Sequence, residues 1–188
     1  MGRWEPNARG RLEQAALELY SEHGFEQTTV AEIAKRAGLT ERTFFRHFAD
    51  KREVLFAGGS RLRELLTTAL AGAPGSATPF EAVAAALAAV SAPLRERRDQ
   101  ARRRQHVILA NAELRERELI KLATLSAALT DGLRARGVGE PAASLAAETG
   151  IAVFKVAFER WLEGPDDGDL AEYVRGSLEQ LRSLAAGI

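Results

Sequence analysis

The chain has no cysteine. Disulfides, thiolate metal sites and a cysteine nucleophile are therefore excluded. Histidine is scarce: His23, His47 and His106 are the only three, too far apart for a compact metal-binding pair on one helix. No metal and no cofactor are expected. No apolar run approaches the roughly 20 residues that span a bilayer. The opening Met-Gly-Arg-Trp-Glu-Pro lacks the apolar core of a secretory signal. Gly2 stands where myristoylation would occur, but position 6 is Pro rather than Ser or Thr. A soluble, cytoplasmic protein without a membrane partner is expected. Aromatic residues make up only 6% of the chain and β-branched residues are sparse, whereas 35 of 188 residues are alanine. That composition favours helix over sheet.

Net charge is absent as well, with 26 basic against 26 acidic residues, but the charge is unevenly spread. Within 28–52, Lys35, Arg36, Arg42, Arg46, Lys51 and Arg52 outweigh Glu32, Glu41 and Asp50. Within 138–188, four basic residues face nine acidic ones. A neutral total therefore leaves room for a nucleic-acid surface near the N-terminus.

Periodicity predicts helices nearly throughout. Leu12, Ala15, Ala16, Leu19 and Tyr20 make one face of a helix over 8–23, with Gly24 as its stop. Thr28 or Thr29 can cap a second helix, and Glu32 stands at capping-box distance from Thr29. Thr40 caps a third over 41–48, and Asp50 a fourth from Lys51 to about Leu70. Gly58 and Gly59 fall inside that fourth helix, as a close-packing point or as a bend. Further helices are expected over about 79–92, 94–110, 113–135, 141–163 and 169–186. The fold class is all-α, about nine helices, with no internal repeat.

The strongest signal lies in 28–51. Two short helices joined by a glycine turn have the layout of a helix-turn-helix. Ala34 is small where the helices cross, Gly38 can take the positive φ of the turn, and Leu39 plugs the core beneath it. The second helix offers Thr40, Glu41, Arg42, Thr43 and Arg46 outward, with Phe44 and Phe48 inward. Such a helix fits the major groove and reads base edges from its N-terminal half. A basic residue at a helix start, such as Lys51, opposes the macrodipole, and a phosphate partner would account for it.

Over roughly 8–56 the sequence resembles the TetR family of bacterial regulators. The resemblance rests on Gly38-Leu39-Thr40, on Phe44-Phe45-Arg46-His47-Phe48, on Lys51, and on the upstream His23-Gly24-Phe25. It implies that residues 1–56 form a three-helix DNA-binding domain and residues 57–188 an effector-binding and dimerisation domain. The site set for DNA is Thr29, Arg36, Thr40, Arg42, Thr43, Arg46, His47 and Lys51. The family commonly has Tyr where this chain has Phe45, with a hydroxyl that reaches a phosphate. Phe45 cannot donate that bond and is assigned to packing.

Beyond residue 56 the readings are broader. In 145–162, Ala147, Ile151, Phe154, Phe158 and Trp161 form one stripe, and Leu145, Ala152, Val153 and Val156 another. A helix apolar on two sides needs cover on both, which points to a homodimer through about 141–186. The operator would then be an inverted repeat of double-stranded DNA. The resemblance also implies a small-molecule effector. Leu62, Leu66, Val83, Leu87, His106, Val107, Leu122, Leu125 and Phe154 are the candidate lining, with Gln105, Asn111, Thr124 and Thr149 as further polar groups. Such a lining suits a hydrophobic guest. The run Arg95, Arg97, Arg98, Arg102, Arg103 and Arg104 reads either as a phosphate patch or as a solvated helix face.

The function expected is a homodimeric, ligand-responsive transcriptional repressor. The alternatives are an activator, or a helical protein-interaction module without DNA binding. An enzyme would need a nucleophile–base–orienter set or a metal cluster. The sequence offers only His106 near Glu113, so no enzymatic activity is expected.

Overall fold

The computed structural model describes residues 7–187, so Gly2 and its neighbours at the N-terminus lie outside the described residues. Among the described residues there are ten α-helices and no strand. They are α1 (Ala8–His23), α2 (Val30–Arg36), α3 (Glu41–His47), α4 (Glu53–Phe56), α5 (Gly59–Ala71), α6 (Pro79–Arg95), α7 (Arg98–Ala110), α8 (Ala112–Ala135), α9 (Ala142–Glu163) and α10 (Leu170–Ala186). The expected fourth helix is two helices, interrupted at Ala57-Gly58. A Cβ on Gly58 would meet nothing within 4 Å, so tight packing does not explain that glycine.

Contacts divide the chain into two compact units. The first holds the described residues up to Gly58 together with Arg102–Arg117. The second holds Gly59–Ala101 and the residues from Glu118 onward. The sequence drew a single boundary at 56/57. The segment 102–117 joins the first unit because its apolar residues Val107, Ile108 and Leu114 are buried in one cluster with Leu12, Leu19, Tyr20, Phe44 and Leu55. Charge follows the same division: 13 basic against 10 acidic described residues in the first unit, 12 against 15 in the second.

Caps set the boundaries in the first unit. The Thr29 hydroxyl accepts from the Glu32 backbone N–H, and the Glu32 carboxylate accepts from the Thr29 N–H, which completes a capping box at α2. Thr40 accepts from the Thr43 N–H and starts α3. Between them Gly38 has φ 66°, a conformation that costs a side-chain-bearing residue 1–2 kcal/mol by ordinary estimates, roughly. Its missing Cβ also leaves room for the Arg11 guanidinium, which would lie 2.8 Å from a Cβ there. Arg11 donates to the carbonyls of Ala37 and Gly38 and so ties α1 to the turn.

The second unit is built on α5, α6, α8, α9 and α10. Its core runs through Leu70, Val83, Leu87, Leu129, Phe154 and Trp161. Gly150 lets α9 lie close on α6, because a Cβ there would sit 2.3 Å from Val83 Cγ1. At the end of α9, Arg98 is buried and donates to the carbonyls of Trp161, Gly164 and Pro165. A cation at a helix C-terminus satisfies carbonyls that have no intrahelical partner and opposes the dipole favourably. The arginine run thus does not act as one patch. Arg98 is a buried cap, Arg95 reaches Asp169 at 4.0 Å, and Arg104 belongs to the first unit, where it donates to the Leu55 carbonyl and lies over the Phe56 ring. Arg97 and Arg103 are exposed.

Candidate nucleic-acid interface

The outward face of α3 carries the feature that matters most. Arg42 and Arg46 are exposed, and among the described residues neither has an ion pair or a side-chain hydrogen bond. Phe44 (0% exposed) and Phe48 anchor the opposite face, with ring centroids 5.5 Å apart. The helix is thus held by its aromatic side, and two unpaired guanidiniums project from the other. Arginine is the side chain best matched to the paired acceptors of guanine in the major groove.

The remaining candidates are engaged in different ways. Thr29 uses its hydroxyl in the α2 cap, where it also donates to Glu32 at 2.7 Å. Thr40 is exposed, and its hydroxyl lies 3.1 Å from that of the half-buried Thr43. Arg36 makes a bidentate pair with Glu22, 3.0 and 2.8 Å, and a longer one with Glu18. That hydrogen-bonded pairing holds the Glu22 carboxyl below its ordinary range. Exposed pairs of this kind are weak and readily exchanged, so a phosphate can compete for Arg36. His47 is half-buried, with Nε2 shielded and without a protein partner.

Lys51 differs from all of these. Its ammonium donates to the carbonyls of Phe25 (2.9 Å), Glu26 (3.1 Å) and Thr28 (3.0 Å), and it lies 4.5 Å from the Phe25 ring centroid. An ammonium has three donors, and all three are used. The Tyr20 hydroxyl donates to the Lys51 carbonyl at 2.5 Å. Burial first, and then the Asp50 charge, push the Tyr20 hydroxyl up, so it remains a neutral donor. Lys51 therefore fastens the α1–α2 loop to the head of α4. Lys51→Ala is expected to lower both the thermal midpoint and operator affinity. The slope of log Kd against log salt should stay unchanged, whereas loss of a true phosphate contact flattens it by about one unit. Titrations at four salt concentrations measure this.

Two features of the unit were not visible in the sequence. Asp50 accepts from the Arg52 and Glu53 backbone N–H groups and pairs with Arg52 at 2.8 Å and with Arg117 at 3.6 Å. Arg52 also pairs with Glu113. This network ties the 102–117 segment to the head of α4. The second feature corrects an expectation: Phe45, assigned to packing, is 55% exposed. On a helix whose buried side is set by Phe44 and Phe48, the intervening residue turns well away from the core.

The candidate effector residues are separated by the structure. Leu62, Leu66, Val83, Leu87, Leu122, Leu125 and Phe154 all belong to, or pack against, the second unit's core. Val107 does not: it lies in the first unit's cluster, and His106 on the same helix is exposed. The structure places these two apart from the other seven. The amphipathic pattern of α7 showed that Val107 is buried but not which core buries it. Of the polar candidates, Asn111 donates to the Val107 carbonyl, Thr124 is exposed, and Gln105 and Thr149 are half-buried. Ser126 and Thr130 are the buried hydroxyls of α8, and Ser126 donates to Glu148.

Sequence comparison bears on the same two regions. Residues 13–57 match the family described as bacterial regulatory proteins of the tetR family, and residues 77–186 match the MftR C-terminal domain. The chain belongs to the TetR family. It is similar to the transcriptional regulator TcmR of Streptomyces glaucescens, 40% identical over 88 residues, 47% of this chain but only 39% of TcmR. It is also 27% identical over 165 residues to the transcriptional regulator MftR of Mycobacterium tuberculosis, covering 86% of this chain and 83% of that one. Among solved structures it resembles Thermus thermophilus FadR, a TetR family repressor in complex with lauroyl-CoA. The TM-score is 0.58 at 25% identity, over 93% of each chain. It also resembles SmeT, the repressor of the Stenotrophomonas maltophilia efflux pump SmeDEF, with TM-score 0.62 and 25% identity over 95% of this chain and 89% of SmeT. As a TetR family member with its helix-turn-helix in place, the chain is a DNA-binding transcriptional regulator. No helix among the described residues is long and apolar enough to cross a membrane.

Proposed function

We propose that this TetR family regulator is a homodimeric repressor that a small hydrophobic molecule releases from an inverted-repeat operator. The observation that carries the DNA side is the pair of unpaired guanidiniums, Arg42 and Arg46, on the outward face of α3. The reading set is Arg42, Arg46, Thr40 and Thr43, with Arg36 and His47 toward phosphates and Thr29 holding α2 in place. The reading head comprises the residues up to Gly58, with the 102–117 segment fastened to it. Selection of genomic fragments by the purified protein tests this reading. An inverted repeat in the bound fragments is the expected result, and recovery without sequence preference would overturn it.

Dimerisation is supported by the outer side of α9. Leu145 and Val156 are 62% and 49% exposed, and Ala152 between them is exposed too, while Val153 has turned into the core. A second copy of the same helix is the simplest cover for such a stripe. Leu145→Glu combined with Val156→Glu is expected to give a folded monomer at micromolar concentration where the unaltered chain sediments as a dimer. Because both side chains are exposed, the thermal midpoint of the protomer should change little.

The effector side rests on the character of the second unit's interior. Its buried polar residues are Ser91, Arg98, Ser126, Thr130 and Ser177, and the one cation among them, Arg98, is committed to backbone carbonyls. Arg98 also pairs with the Asp166 carboxylate at 3.3 Å, so its charge is already matched. An acyl chain or another lipophilic group is the chemistry such a lining accepts, and FadR is a similar repressor whose guest, lauroyl-CoA, carries an acyl chain. Release from the operator then follows from linkage: a ligand that binds the DNA-incompetent arrangement more tightly shifts the population toward it. Thermal-shift screening against lipophilic and anionic compound sets, followed by DNA release, tests the assignment. Release by anions alone would overturn it.

A further inference from the structure

We propose that Phe45 is a specificity-determining residue that reads a thymine through its C5-methyl group. The inference rests on the operator reading above and deepens it. Phe45 is 55% exposed, on the reading helix itself. Its ring is held in place, edge-on to the fully buried Phe44, with centroids 5.4 Å apart and planes at 82°. It sits three residues after Arg42 and four after Glu41, so these side chains share one side of α3.

The chemistry of the ring limits what it can do there. Phenylalanine has no donor or acceptor, so it can neither bond a phosphate nor pair with a base edge. The apolar feature that the major groove offers is the thymine methyl, and contact with it is an established form of base readout. A protein partner is the competing occupant. Docking of that kind requires a contiguous apolar patch, whereas the exposed neighbours of Phe45 on α3 are Glu41, Arg42 and Arg46. An isolated apolar ring among charged side chains suits a groove lined by phosphates, with a methyl at the point of contact.

The test uses the full chain and the operator recovered by genomic selection. Each thymine of a half-site is replaced in turn, in both half-sites, by deoxyuridine, which lacks only the methyl and keeps its pairing edge. The unaltered protein is expected to lose about fourfold in affinity per half-site at one position, the equivalent of one buried methyl group. Phe45→Ala should bind thymine and uracil operators alike. Phe45→Tyr should keep the methyl dependence and bind more tightly to every sequence, because its hydroxyl adds a phosphate contact. Normal binding with indifference to every methyl would overturn the proposal and leave the operator reading standing. So would a half-site without thymine, or an unchanged methyl dependence in Phe45→Ala. Failure to bind any fragment would sink both.

Discussion

Trp161→Ala is expected to destabilise the second unit by about 3–5 kcal/mol, the range for deleting a large buried aromatic side chain. Natural domains have about 5–15 kcal/mol to lose, so the variant should be close to unfolding at growth temperature. Two contacts make this residue more than a filled volume. Its side chain is fully buried, its indole N–H donates to the Gly168 carbonyl at 2.9 Å, and the Arg98 guanidinium carbon stands 5.3 Å from its ring centroid. The indole thus holds the turn between α9 and α10, and it supports the cation that caps α9. Trp161→Phe should recover most of the packing but leave the Gly168 carbonyl without its donor, at a cost of about 1–2 kcal/mol. Urea unfolding followed by circular dichroism measures both. Equal stability of Trp161→Ala and the unaltered chain would mean that the α9–α10 corner is held by other contacts.

The single and double variants with Arg98→Met test whether the corner acts as a unit. Loss of Arg98 leaves the carbonyls of Trp161, Gly164 and Pro165 without the donor they share. Residues in one network do not give additive losses. The double variant is therefore expected to lose measurably less than the sum of the two singles. Strict additivity would show that the indole and the guanidinium stabilise the corner independently.

What could be read from the sequence was what is local to it. The Thr29–Glu32 capping box spans three residues, Thr40 caps its own helix, and Gly38 announces its own φ. The inward stripe of α1 and the aromatic face of α3 follow from helical periodicity alone. Most of what could not be read has one cause, which is sequence separation. Arg36 and Glu22 are 14 residues apart, Lys51 and its carbonyls 23 to 26, Arg98 and its carbonyls 63 to 67. An unpaired arginine and a paired one look the same in a sequence. A resemblance can place Lys51 at a phosphate, but it cannot show that three carbonyls already occupy its donors. Phe45 failed for a different reason. Two of the three phenylalanines in 44–48 are core residues, and composition alone could not separate the third.

The sorting of cations leads to the largest expected effect on binding. Arg42→Ala combined with Arg46→Ala is expected to weaken operator binding by about 2–6 kcal/mol, or roughly 30-fold to more than 10⁴-fold, if each side chain makes a bidentate base contact. The argument starts from competition. A guanidinium that already has a protein partner must give it up before it can bind DNA, and part of the contact energy is spent on the exchange. Arg36 is in that position, with its Glu22 pair. Arg42 and Arg46 have no such partner among the described residues, so the gain on contacting a base is undiminished. The two residues lie four apart on one helix face, so their contributions should be separable by base position. Each single variant should relax specificity at its own base pair and leave the other unchanged. Arg36→Ala offers the contrast: a smaller loss, alike for all sequences, with a flatter salt slope. Stability should hold in both arginine variants, because neither side chain is bonded to anything that folding requires. Measured affinities that stay the same in the double variant would show that α3 does not enter the groove in this orientation.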